Sequence, residues 1–207
     1  MKLKTGIYGA TAMCALALAG SLSGCAPAVL GGVAMSTLVA TDRRTSGTQL
    51  EDEGIELRSF GRIRESIGDR ANITVTSYNR QVLLTGQIPN AQDKPLVHKI
   101  VSGVDNVRAI VNELEVQPNA TLTQRSTDAL TRGLVKASMI DAKDVFANSF
   151  KVVVERGTVY LMGRVTQREA DRATEIARGT RGVEKVVRVL EIISEEELKR
   201  SMPAPTT

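Results

Sequence analysis

One stretch of this chain occurs twice. Ile73-Thr-Val-Thr-Ser-Tyr-Asn-Arg-Gln-Val-Leu-Leu-Thr-Gly86 aligns without a gap on Phe150-Lys-Val-Val-Val-Glu-Arg-Gly-Thr-Val-Tyr-Leu-Met-Gly163, an offset of 77 residues. After a two-residue insertion, Gly103-Val-Asp-Asn-Val107 aligns on Gly182-Val-Glu-Lys-Val186. Self-similarity at a fixed offset marks a copied supersecondary unit, so the chain is expected to fold as two small domains of one architecture.

Each copy reads in the same order. Leu57, Phe60, Ile63 and Ile67 in the first, and Leu130, Leu134, Ala137 and Ile140 in the second, recur at helical spacing. Alternation follows: Ile73, Val75 and Ser77 against Phe150, Val152 and Val154, then Asn79-Arg80 or Arg156-Gly157 at a turn, then a return strand ending at Gly86 or Gly163. These two glycines read as turn or close-packing residues. A second helix is predicted from about Asn90 to Ser102 and from Gln167 to Gly179, entered after Pro89 and Thr166. Val107, Ala109 and Val111, or Val186, Arg188 and Leu190, close the unit with a last strand, and Arg188 keeps one face of that strand from full burial. The order α-β-β-α-β predicts an α+β fold, with a three-stranded sheet and two helices on one face of it. The domains span 54–118 and 124–193.

Ahead of the repeat lies a leader. Met1-Lys-Leu-Lys opens it, an apolar run from Ile7 to Leu22 follows, and small residues precede Cys25. That is the pattern of a secretory signal over residues 1–24, and the run is too broken and short for a spanning helix. Leu22-Ser23-Gly24-Cys25 matches the bacterial lipobox, which makes Cys25 the expected lipidation site. Cys14 lies inside the leader, so no disulfide is expected in the mature chain. Covalent lipid on Cys25 is the sole added group expected. Each acyl chain contributes about 0.8 kcal/mol per buried CH₂, which makes attachment by several chains effectively permanent. Ala26 follows the cysteine where an Asp would retain such a lipoprotein in the inner membrane, so outer-membrane sorting is expected.

Residues 25–53 lack a sustained period and read as a flexible tether, in which Val33 to Ala40 either lies against the bilayer or forms part of the linker. Residues 194–207 read as a mostly disordered tail, with Ser194 to Arg200 able to form a short helix.

The paired patterns Val82-Leu-Leu-Thr-Gly86 with Gly103-Val-Asp-Asn-Val107, and Val159-Tyr-Leu-Met-Gly163 with Gly182-Val-Glu-Lys-Val186, resemble the BON domain, named for bacterial osmotic-stress and nodulation proteins. The resemblance covers roughly residues 54 to 193. Ala40-Thr-Asp-Arg-Arg44 and Ser46-Gly-Thr-Gln49 also resemble the segment joining lipid to domains in dual-BON lipoproteins. It implies a protein of the inner leaflet of the outer membrane, facing the periplasm, that binds anionic phospholipid, gathers at division sites and supports envelope integrity. It also implies that phospholipid contact falls on the first helix of the second domain, about Ser126 to Ile140, with Arg125, Ala129, Arg132, Gly133 and Lys136 as the candidate residues.

The residues of that helix give partial support. Arg132 and Lys136 are four apart on one face, as a headgroup-facing surface requires, although the same spacing also suits a solvated face. No aromatic stands in its first turns, so insertion into an interface is expected to be shallow. An alternative reading is a structural or assembly factor that binds an outer-membrane or division-site protein, with the lipid serving only as tether.

Other classes fit poorly. Aromatics make up 3% of the chain and Trp is absent, which argues against a large aromatic-lined pocket. The formal charge is +4, and two of the positive charges, Lys2 and Lys4, leave with the leader to give +2, too mild for a nucleic-acid partner. His98 is the single histidine and no nucleophile motif accompanies it, so no catalytic site, metal site or enzymatic activity is expected.

Overall fold

A computed structural model describes residues 42–201. The expected leader, Cys25, the first part of the tether and residues 202–207 lie outside the described residues.

The first unit comprises α1 (Ser46–Ile67), a 3₁₀ turn (Gly68–Arg70), β1 (Asn72–Tyr78), β2 (Gln81–Ile88), α2 (Asp93–Ser102), β3 (Ala109–Asn112) and β4 (Glu115–Val116). The second comprises α3 (Leu122–Asp141), a 3₁₀ turn (Ala147–Ser149), β5 (Phe150–Glu155), β6 (Thr158–Thr166), α4 (Gln167–Gly179) and β7 (Lys185–Ile193), and α5 (Glu195–Ser201) follows. The expected order α-β-β-α-β is present in both. In each sheet the middle strand pairs antiparallel with the strand before it and parallel with the strand after it. In the first unit that last strand is broken at Glu113-Leu114, and both pieces, β3 and β4, pair with β2.

Both hairpins turn through left-handed residues, Asn79 and Arg80 in one and Arg156 and Gly157 in the other. Two consecutive positive φ angles match the right-handed twist of the flanking strands. A carboxylate on the preceding helix holds each turn. Asp52 accepts from the backbone N–H of Asn79 (2.8 Å) and of Arg80 (2.7 Å), and Asp128 from those of Arg156 (2.8 Å) and Gly157 (3.0 Å). Gly86 and Gly163 sit where a Cβ would strike the carbonyl oxygens of Asn72 and Ser149, so only glycine lets the paired strands approach.

Alternation divides the side chains of the central strands between two layers. Val82, Leu84 and Ile88 join Ile55, Ile63, Val97 and Val101 under the helices of the first unit, while Val159, Leu161 and Val165 join Val135, Met139 and Ala173 in the second. The remaining positions form a third core. Tyr78, Leu83, Tyr160, Met162 and Val189 pack together, so the sheets meet face to face with helices on both outer sides. This explains the unbroken apolar runs Val82-Leu83-Leu84 and Val159-Tyr160-Leu161-Met162, because a strand buried on both faces has no polar side.

Two expectations need correction. Residues 46–53, read as flexible tether, are the first two turns of α1, with Thr45 as N-cap accepting from the Thr48 N–H. Arg43 and Arg44, just before them, are anchored. Arg43 donates to both Glu169 carboxylate oxygens and to the Arg164 carbonyl in the second unit, while Arg44 bonds Asp42 and Asp52 in the first and stacks over Tyr78 at 4.2 Å. The second correction concerns the first helices. Leu57 and Phe60 are exposed, and the buried stripe of α1 is Asp52, Ile55, Ser59, Ile63 and Ile67.

Candidate membrane-contact helix

α3 is set at its start by a full capping box: Thr121 accepts from the Gln124 N–H, and the Gln124 side chain accepts from the Thr121 N–H. Its inward stripe is Asp128, Thr131, Val135 and Met139. Asp128 is fixed there because it must reach the hairpin turn, and Thr131 packs close to Gly182.

That inward stripe decides what points outward. At 100° per residue, the opposite face carries Leu122, Thr123, Ser126, Leu130, Gly133, Ala137, Ile140 and Asp141, with Ala129 and Leu134 at its edges. Leu122 is 80% exposed, Leu130 71% and Ile140 65%, so this helix shows an apolar face to its surroundings. The stripe Leu130, Leu134, Ala137 and Ile140 that periodicity singled out is therefore the outer one. Both stripes have helical spacing, and Asp128 and Thr131 disguised the buried one.

The candidate residues divide along the same lines. Gly133 lies in the middle of the outward face, where a Cβ would meet open space, and Ala129 is exposed at its edge on the arginine side. Arg125 and Arg132 are exposed along one flank; Arg125 Nε donates to the Ala120 carbonyl at 3.2 Å, and Arg132 has no ion pair among the described residues. Lys136 departs from expectation. Its Nζ donates to the carbonyl oxygens of Ala147 (2.7 Å) and Phe150 (2.8 Å), and burial pushes its ammonium down from the usual lysine value. Lys136 thus ties α3 to the start of β5, and the pairing of Arg132 with Lys136 on one headgroup-facing surface does not form. The lysine stem is long enough to turn inward toward backbone carbonyls, which spacing alone does not reveal.

His98 is exposed on α2, and no cluster of three acidic, histidine or cysteine side chains among the described residues is placed to hold a metal ion. No described helix is long and apolar enough to cross a membrane.

Two like α+β units, packed sheet to sheet and presenting an apolar helix face edged with arginine, define a tandem-domain protein. The BON domain family matches residues 55–118 and 127–194, and the chain belongs to that family. It is similar to the outer membrane lipoprotein DolP of Haemophilus influenzae, with 38% identity over 174 residues, 83% of this chain and 90% of the relative. It is also similar to the 21 kDa hemolysin of Actinobacillus pleuropneumoniae, 32% identical over 154 residues, 73% of this chain and 79% of the relative. Among solved structures, CdsD, a structural protein of the type III secretion system of Chlamydia trachomatis, matches 71% of this chain and 99% of its own at 14% identity, with a TM-score of 0.30 that supports no argument.

Proposed function

We propose that this chain is a lipid-anchored, periplasm-facing outer-membrane protein, attached through Cys25, that binds anionic phospholipid through α3 of its second domain and supports envelope integrity, with enrichment at division sites. It acts by binding and performs no catalysis. The observation that carries this reading is the outward face of α3, apolar from Leu130 to Ile140 and bordered by Arg125 and Arg132.

Magnitudes assign the roles. A fully buried leucine-sized side chain gains roughly 1.5–3 kcal/mol, so partial burial of four such residues outweighs two arginines at about 1 kcal/mol each near an anionic surface. Apolar contact supplies the affinity, and the arginines supply the preference for anionic lipid. Small residues at 129, 133 and 137 let the helix backbone approach the headgroups closely, which suits shallow seating.

Vesicle flotation tests this. The protein is expected to bind phosphatidylglycerol-containing vesicles more than neutral ones, Leu130→Glu with Leu134→Glu to abolish both, and Arg132→Glu to erase the preference. Equal binding of the wild type and the double leucine variant would overturn the reading.

A second reading, as a factor that docks an envelope protein, draws on the opposite side of the molecule. There α1 and β1 border a groove of about 520 Å³ lined by Glu53, Leu57, Phe60, Ile73 and Val75. Crosslinking in cells to one dominant protein from position 57 or 60, unaffected by Leu130→Glu, favours it.

A further inference from the structure

At one end, the layer between the two sheets opens into a recessed cavity of about 310 Å³. Its walls include Glu113 and Glu115 from the first domain and Glu155, Tyr160 and Glu184 from the second. Like charges brought together across a domain seam oppose its closure. Burial, opposed by a bond from Gln87 and assisted by the charge of Asp128, pushes the Glu155 carboxyl up. Arg156 also lines the cavity, its Nη2 donating to the Pro118 carbonyl at 2.6 Å, and its charge offsets one of the four carboxylates.

Tyr160 gives an independent indication. Its ring belongs to the core between the sheets and the residue is only 4% exposed, yet its hydroxyl makes no hydrogen bond among the described residues. Tyr160 lines the cavity together with Glu113, Glu115 and Glu155, and burial, followed by the charges of those three, keeps its phenol protonated far above neutrality. The ring is buried and the hydroxyl is left without a partner among the described residues where the side chain lines the cavity, free to bond what enters there. A neutral phenol here is able to accept a bond from a cation and donate its own proton to a carboxylate.

The spread of charge selects the cation. No group of three acidic side chains among the described residues is placed to hold one metal ion, and the cavity draws its carboxylates from three separate segments, at 113 and 115, 155 and 184. A ligand whose positive charges are also separated suits that spacing, and the volume lies at the small end of ligand sites. We propose that this inter-domain cavity binds a linear di- or polyamine, its ammonium groups placed between the carboxylates of the two domains and one of them donating to Tyr160 Oη. Because both domains supply ligating groups, binding stabilises their seam.

Calorimetric titration of the full-length protein, in non-ionic detergent at low salt, with spermidine is the test, paired with thermal unfolding. Saturable one-to-one binding with a raised Tm is expected. Affinity should fall at least tenfold in Glu113→Gln/Glu184→Gln, two groups with no side-chain bond among the described residues, and several-fold in Tyr160→Phe, which retains the ring in the core. Absence of saturable binding, equal affinity in the double glutamine variant, or displacement by magnesium chloride at equal charge concentration would each overturn the proposal.

Discussion

Arg43 and Glu169, 126 positions apart in the chain, face each other through two N–H···O bonds of 2.7 Å. Arg43 precedes the first domain, whereas Glu169 sits in the first turn of α4 and also accepts from the Thr166 N–H as part of its capping box. The side chains are 7% and 1% exposed. Removing one partner leaves the other charged and buried, so Glu169→Gln and Arg43→Ala are each expected to cost about 3 kcal/mol. Urea unfolding of both, together with Arg43→Met/Glu169→Leu, checks this. The double variant should recover much of the loss.

The same carboxylates set a pH dependence. Burial opposes ionisation of Asp52 and Glu169, yet bonds from Ser77, the Arg80 N–H and Arg44, and from Arg43 and the Thr166 N–H, hold them below their ordinary values of 3.8 and 4.5. A depressed carboxylate contributes stability that is fully present above its unfolded value and is lost as pH falls through the folded one. Stability should therefore be flat near neutrality and fall below about pH 4. Asp52→Asn and Glu169→Gln should each flatten that fall, read from urea midpoints at pH 7, 4 and 3.

The repeated aspartates are unequal. Asp52 holds two backbone N–H groups, the Ser77 hydroxyl and Arg44, whereas Asp128 accepts from two backbone N–H groups. Asp52→Asn should cost about 3 kcal/mol and Asp128→Asn about 1–2 kcal/mol, since a charged acceptor bond contributes more than a neutral one. Thermal unfolding ranks them.

Arg132 and Lys136 should separate cleanly. Arg132→Glu is expected to leave Tm within a degree or two, because exposed charges contribute little to stability, while removing the preference for anionic vesicles. Lys136→Met should lower stability by about 1–2 kcal/mol by removing its bonds to the Ala147 and Phe150 carbonyls, with lipid preference retained. The reverse pattern would place the headgroup contact on Lys136.

Much of this architecture is written in the repeat. Offsets located both hairpins, both second helices and the closing strands, and Gln167 to Gly179 is helical over the range expected. The inward faces of α1 and α3 were hidden because Asp52, Ser59, Asp128 and Thr131 occupy buried positions where periodicity looks for apolar residues. Asp52 and Asp128 hold equivalent turns but lie 76 residues apart where the hairpins lie 77, so the ungapped offset does not bring them together. The sheet-to-sheet seam was foreshadowed by the unbroken apolar runs of β2 and β6, but not its register. Lys136 shows a different gap: helical spacing fixes where a side chain leaves the backbone, not where a flexible ammonium ends.

The anchoring of Arg43 and Arg44 has a mechanical consequence. Any pull arriving along the chain from its N-terminal side enters the fold at Asp42, where one arginine grips the second domain and its neighbour grips the first. The load is shared at the joint between them, so tension must break a buried bidentate pair before it can begin to peel α1 from its sheet.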